Sequence, residues 1–222
     1  MSLIRFENVS KTYQEGDDIV QALDSASLSI NEGDFIAIMG PSGCGKSTLL
    51  SILGVLNKPT GGEVFIDDIA VYDLPSERQA DFRFEYLGFV FQSFQLVPYL
   101  TTIENVMIPL SISGTPESKQ RQMAGDVLAR VNLSNKEKRL PNQISGGEGQ
   151  RVAVARAIVN NPPILLADEP TGNLDSKHGT EIMQLLEDLN REGQTIVMVT
   201  HDKTMAQYAH KLIELSDGRI IT

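Results

Sequence analysis

The chain has little of what a secreted, membrane-spanning or nucleic-acid-binding protein needs. Cys44 is the only cysteine among 222 residues, so no disulfide can form within the chain and a reducing compartment fits. Basic residues are in deficit. The 19 Lys and Arg stand against 29 Asp and Glu, and the formal charge of −10 disfavours a nucleic-acid partner, because no basic stripe is available to displace counterions from phosphates. Apolar runs stop after about five or six residues, far short of the roughly 20 that span a bilayer, so a membrane role requires a partner chain. The start, Met1-Ser2-Leu3-Ile4-Arg5-Phe6-Glu7, lacks the basic opening and long apolar stretch of a signal peptide. There is no internal repeat and no low-complexity segment. The length suffices for a full core, in one α/β domain or one domain carrying an insertion.

What is present begins at residues 40–48. Gly40-Pro41-Ser42-Gly43-Cys44-Gly45-Lys46-Ser47-Thr48 follows the apolar run Phe35–Met39 and precedes the helix-like Leu49-Leu50-Ser51-Ile52-Leu53. That is a phosphate-binding loop between a strand and a helix. Gly40, Gly43 and Gly45 let the backbone curl so that successive N–H groups point inward, and the helix adds the positive end of its dipole. Lys46 is suited to the β- and γ-phosphates, the Ser47 hydroxyl to Mg²⁺, and Thr48 to a phosphate oxygen. Cys44 reads as a small residue tolerated in the loop.

Leu3–Val9 and Ala26–Ile30 alternate apolar and polar residues, as half-buried strands do, whereas Phe35–Met39 is apolar on both faces. A short strand is expected at Glu63–Ile66 and a buried one at Leu87–Phe91, which delivers Gln92 at its end. From about 93 to 160 the texture is helical, Pro116–Val131 included. Strand texture returns at Ile164–Ala167 and Thr195–Thr200, separated by an amphipathic helix marked by Ile182, Leu185, Leu186 and Leu189. The chain closes in a hairpin turning at Asp217-Gly218. The expected fold is α/β, a parallel-sheet core with an N-terminal antiparallel β subdomain and a helical insertion. Residues 1–92 and 161–222 would form the catalytic core and 93–160 the helical part of one domain.

Two further elements bear on phosphate chemistry. Asp168-Glu169 ends an apolar strand at the carboxyl edge of the sheet, where open α/β folds place ligands. Asp168 is suited to hold Mg²⁺ and Glu169 to take a proton from attacking water. Ser145-Gly146-Gly147-Glu148 reads as a capping box at the start of a helix. Its two glycines are not explained by capping, because each weakens a helix start unless a ligand or backbone must come close. A Ser-Gly-Gly helix N-terminus is a second anion site. One triphosphate does not need two such sites from one molecule, which leaves the second for a nucleotide held by another copy.

With these motifs in place, the chain resembles an ATP-binding subunit of an ABC transporter over essentially its whole length. The phosphate loop, the stretch Ser145-Gly146-Gly147-Glu148-Gly149-Gln150-Arg151, Asp168-Glu169, Gly172-Asn173-Leu174-Asp175 and His201 stand in the family's order. The resemblance implies a P-loop NTPase fold with a RecA-like core, ATP and Mg²⁺ as ligands, and hydrolysis of ATP to ADP and phosphate. It implies that Tyr13 stacks on adenine, that Gln92 touches Mg²⁺ and the attacking water, and that Glu169 is the general base. It also implies that His201 bonds the γ-phosphate and that Asp175 helps join two active sites. The family works as a head-to-tail pair, so Ser145 and Gly147 of one copy would bind the γ-phosphate held by the other. Two departures are mild: Ile144 stands where the family usually has Leu, and Glu148 where it often has Gln.

By the same resemblance the partners are a second ATP-binding subunit and transmembrane permease subunits, with no nucleic acid. The place is the cytoplasmic face of the cell membrane, as a peripheral subunit, the bacterial inner membrane in particular. Residues 93–100, beside Gln92, would line the groove that receives the permease. Gly88–Phe94 and Glu169–Asp175 resemble the subunits of lipoprotein-releasing and macrolide or antimicrobial-peptide export systems, with relatives in cell division. The competing reading is a soluble ABC ATPase acting on DNA or ribosomes, whose tandem cassettes, coiled coils or basic arms this single acidic cassette lacks.

Overall fold

The computed structural model describes residues 2–16 and 18–221. Strands β1 (Ser2–Glu15) and β2 (Asp18–Asn31) form a long antiparallel hairpin with several register shifts. Strand β3 (Phe35–Met39) runs into the glycine loop and helix α1 (Lys46–Leu53). Strands β4 (Gly61–Ile66) and β5 (Ile69–Ala70) complete an antiparallel sheet of order β2-β1-β4-β5. After helix α2 (Ser76–Tyr86) and strand β6 (Leu87–Phe91) the chain becomes helical. It passes through α3 (Thr102–Met107), a 3-10 turn at Ile108–Ile112, α4 (Glu117–Arg130), a second 3-10 turn at Pro141–Gln143 and α5 (Gly146–Ile158). Strand β7 (Ile164–Asp168), helix α6 (Ser176–Arg191), strand β8 (Thr195–Val199), helix α7 (Lys203–Ala206), and strands β9 (Lys211–Ser216) and β10 (Arg219–Ile220) follow. They build a second sheet of order β10-β9-β3-β8-β7-β6, parallel except for β10.

The apolar central strands are explained by a core on each face. Ile36, Ile38, Ile164, Leu166, Val197 and Val199 pack toward α1 and the antiparallel sheet, against Leu49, Ile52, Phe6 and Ile66. Their neighbours Phe35, Ala37, Leu165, Ala167, Ile196 and Met198 pack on the other side, with Val152, Ile182 and Leu186 from α5 and α6. Period-two alternation with both faces covered confines polar residues to the ends of these strands, Thr195 at the start of β8 and Asp168 at the end of β7.

The structure extends the expected strands at the N-terminus, from Leu3–Val9 to Ser2–Glu15 and from Ala26–Ile30 to Asp18–Asn31. The added residues are mostly exposed, so no buried face marks them as strand. Helix α2 was not expected either: Phe82 is its only buried residue, too little for a helical stripe to show. Because β3, β6, β7 and β8 are parallel, their carboxyl ends share one edge. That edge gathers the glycine loop, Gln92, Glu169 and the segment bearing His201.

Candidate active site

At that edge lies a cleft of about 520 Å³ lined by Ser42, Gly43, Gly45, Lys46, Ser47, Thr48, Glu169 and His201, with Val20 and Ala22 from the hairpin. Gly43 (φ +80°) and Gly45 (φ +106°) hold left-handed backbone, and a Cβ at Gly45 would come within 2.2 Å of the Ala22 carbonyl. Glycine is required at Gly45 on both counts. It also caps α1 without a side-chain acceptor, and no acidic residue lies in the first turn, so among the described residues no side chain competes for this helix N-terminus. Lys46 is buried, and its ammonium donates to the carbonyls of Gly40 (2.9 Å) and Pro41 (2.8 Å). Gly40 and Pro41 thus fix the lysine from below and line a neighbouring cavity that His201 also borders. Cys44 is buried, its Sγ 3.8 Å from the Lys46 ammonium.

Glu169 stands at the mouth. Its backbone is in the left-handed region (φ +45°), a conformation costly for a residue with a side chain, and is held by N–H donation to Val199 (2.9 Å) and by its carbonyl accepting from Gly172 (3.0 Å). A strained residue pinned at both ends presents its carboxylate in one direction. His201 Nδ1 lies 2.9 Å from Glu169 Oε1. The carboxylate is an acceptor, so Nδ1 is the donor of this bond. Asp168, one residue earlier, is half-buried. Burial and the neighbouring Glu169 charge push its carboxyl group above the usual range, and Lys46 opposes the shift.

Several expected site residues lie outside the cleft. Gln92 turns to the Gly172-Asn173 turn, where its amide approaches Asn173 Oδ1 (3.4 Å) and Asn173 Nδ2 donates to the Gln92 carbonyl (3.0 Å). Tyr13 sits on the hairpin opposite Val20, which does line the cleft. The Lys11 ammonium lies 5.1 Å from the Tyr13 ring centroid and Asn57 donates to its hydroxyl. One ring face therefore carries a cation and the phenol tip is fixed.

Ser145, Gly146, Gly147 and Asp175 form a separate cluster. The capping box is real: Ser145 Oγ accepts from Glu148 N (3.3 Å) and Glu148 Oε2 accepts from Ser145 N (2.9 Å). Lys136 pairs with Glu148 at 3.1 Å, and the backbone bond from Ser145 does most to hold that carboxyl group below the usual range. Gly147 and the later Gly149 have a steric reason that the sequence did not reveal, whereas a Cβ at Gly146 would make only ordinary contact, 3.6 Å from Leu174. A Cβ at Gly147 would meet the His178 ring at 2.7 Å, and one at Gly149 would meet the Phe94 ring at 3.2 Å. Asp175 caps α6, accepting from the His178 N–H (3.0 Å) and facing His178 Nδ1 at 2.6 Å. Bonds from His178 hold its carboxyl group low.

His178 and Arg156 escaped the sequence reading. The available signal for His178 was its place three residues after a helix-capping Asp. Of residues 93–100, which the resemblance assigns to a docking groove, Gln95 lines a groove of about 490 Å³ together with Leu56, Phe84, Ile108, Ile112 and Arg156, whereas Phe94 packs on α5 and Leu96 on the core.

No group of three or more His, Cys, Asp or Glu among the described residues is placed to hold a metal. The donors near Lys46 are oxygens, Ser47 Oγ and the Asp168 carboxylate. That sparse set suits Mg²⁺, which keeps several waters and leans on substrate phosphates.

A sequence profile described as ABC transporter matches residues 23–172. An uncharacterized ABC transporter ATP-binding protein of Methanocaldococcus jannaschii is 49% identical over 223 residues, covering 98% of this chain and 95% of that one. The macrolide export ATP-binding/permease protein MacB of Aggregatibacter actinomycetemcomitans is 45% identical over 222 residues; the match spans this whole chain but 34% of MacB. Among solved structures, a dimeric ATP-binding cassette in a post-hydrolysis state bound to ADP and Pi superimposes with a TM-score of 0.90 at 47% identity, covering 99% of this chain and 97% of that one.

Proposed function

The chain belongs to the ABC transporter family, and from that premise we propose that it binds and hydrolyses ATP as a head-to-tail homodimer that drives a separate membrane permease. The observation that carries the reading is the single cleft holding Lys46, Ser47, Thr48, Glu169 and His201, with Glu169 and His201 paired at 2.9 Å. The loop amides, Lys46 and the start of α1 grip the triphosphate. Water attacks the γ-phosphorus in line, its proton passes to Glu169, and the bond to the β–γ bridging oxygen breaks to leave ADP and phosphate. His201 holds Glu169 in place and, through Nε2, meets the γ-phosphate. Ser47 and Asp168 would hold Mg²⁺, which would supply positive charge against the phosphate oxygens; Gln92 would have to leave Asn173 to join them. Tyr13 supports the adenine. Ser145, Gly146, Gly147 and Asp175 do not line the cleft of their own chain, which supports their use on the nucleotide of a second copy.

The identity with MacB favours export or lipoprotein release over uptake, with cargo contacts on the permease. Glu169→Gln tests the core of the proposal. It should bind ATP normally, lose turnover and accumulate as an ATP-bound dimer in sedimentation. A variant that stays monomeric at saturating ATP and Mg²⁺ refutes the cross-site arrangement, and one with wild-type turnover refutes the base. Co-purification with a multi-span membrane protein supports the permease partner; recovery with nucleic acid or ribosomes refutes it.

A further inference from the structure

His178 joins two elements that the proposed head-to-tail site has to present together, Asp175 and the first turn of α5. Its ring rests against the first turn of α5 where Gly147 leaves room, since a Cβ there would lie 2.7 Å from His178 Cδ2. Asp175 grips the same residue twice, Oδ1 accepting the backbone N–H at 3.0 Å and Oδ2 facing Nδ1 at 2.6 Å. A carboxylate only accepts, so Nδ1 is the donor. One turn further along both helices, Arg151 and Glu181 pair at 3.0 Å and keep α5 and α6 in register. The ring itself is 39% exposed, so it is not there as core.

We propose that His178 is a positioning residue, fixing Asp175 and the Gly146-Gly147 turn in the arrangement that receives a nucleotide held by a second copy. The inference rests on the head-to-tail reading above. Without the imidazole, one oxygen of Asp175 loses its charge-assisted bond and the carboxylate can rotate into water. The Gly147 turn also loses the surface that limits its movement. Neither change touches the cleft around Lys46, so the effect belongs to association and not to nucleotide capture by the single chain.

The test uses the full chain carrying Glu169→Gln, with ATP and Mg²⁺, and reads the monomer–dimer constant by sedimentation. It also reads ATP affinity at concentrations too low for dimers. His178→Ala should weaken dimerisation about tenfold, the scale of one charge-assisted hydrogen bond partly open to solvent, and leave monomer affinity for ATP unchanged. His178→Asn, whose amide nitrogen can take the place of Nδ1 as donor to Asp175, should restore most of the loss. The proposal is overturned if His178→Ala dimerises like its parent or if His178→Asn is as impaired as His178→Ala. It is also overturned if His178→Ala loses monomer ATP affinity and thermal stability in step with dimerisation, which marks a general structural role. A parent that never dimerises overturns the head-to-tail reading and this inference with it.

Discussion

Asp168 shows at the scale of one residue how a site can work against the fold that carries it. Burial and the adjacent Glu169 raise its carboxyl group above the usual range. Between the unfolded and folded pKa values the native state holds the extra proton, so stability falls as pH rises through that window. Asp168→Asn removes the titration. The nucleotide-free variant should melt higher than the wild type at pH 7–8, by about 2–4 °C for each kcal/mol relieved in a chain of this size. The difference should close toward pH ~4, where unfolded carboxyl groups also take up protons. Melting curves across pH check this, and a difference independent of pH would assign the effect to packing. The same variant should lose ATPase activity if Asp168 supports Mg²⁺. Lys46 gives the complementary case. Its ammonium is held by two loop carbonyls, and Lys46→Ala should lower ATP affinity at least about tenfold, measurable by calorimetry. At this scale the residue types and their order were legible, because Lys46, Asp168, Glu169 and His201 fall in motifs. The geometry was not. The left-handed backbone of Glu169, the turn of Gln92 onto Asn173 and the ring of His178 against Gly147 all depend on residues distant in sequence.

Between elements, the tie from the loop after Gln92 to α5 depends on Arg156. Its guanidinium donates to the carbonyls of Phe94 (2.7 Å) and Gln95 (2.6 Å), and burial lowers its pKa. Both partners have left-handed backbone, φ +57° and +49°, two consecutive strained residues that need such a clamp. The Phe94 ring then lies on Gly149 of α5, so the loop after Gln92 and the Ser145 helix form one body. Arg156→Ala leaves both carbonyls without their donor and should cost about 1–3 kcal/mol, read as a lower urea midpoint. Arg156→Lys, with a single ammonium in place of a planar fork, should recover only part of it. If both variants unfold like the wild type, the loop is held by other means. None of this was readable from the chain, since an Arg in a helix and a Phe in a loop carry no periodic signal. The strands Phe35–Met39 and Leu87–Phe91 were readable to the residue, because burial on both faces leaves an unbroken apolar run. Where the chain is exposed on both faces, as in the outer part of the β1–β2 hairpin, the pattern vanished and the strand limits with it.

On the scale of the whole molecule, the cleft and the apolar groove share no lining residues. The phosphate cleft sits at the carboxyl edge of the parallel sheet, whereas the groove of about 490 Å³ runs between α2, β6, α5 and the turn at Ile108–Ile112. Leu56 and Ile112 in that groove are 57% and 72% exposed. No helix of the described residues is long and apolar enough to cross a membrane. An apolar groove tied to the catalytic edge by Arg156 and the loop after Gln92 is suited to the permease contact proposed above, because a displacement there moves Phe94 and α5 together. Ile112→Glu places a charge in the groove without touching the cleft. It should abolish co-purification with the membrane partner and leave ATP-driven dimerisation of the isolated chain unchanged. Loss of both would tie the groove to folding; retention of both would move the contact to another face.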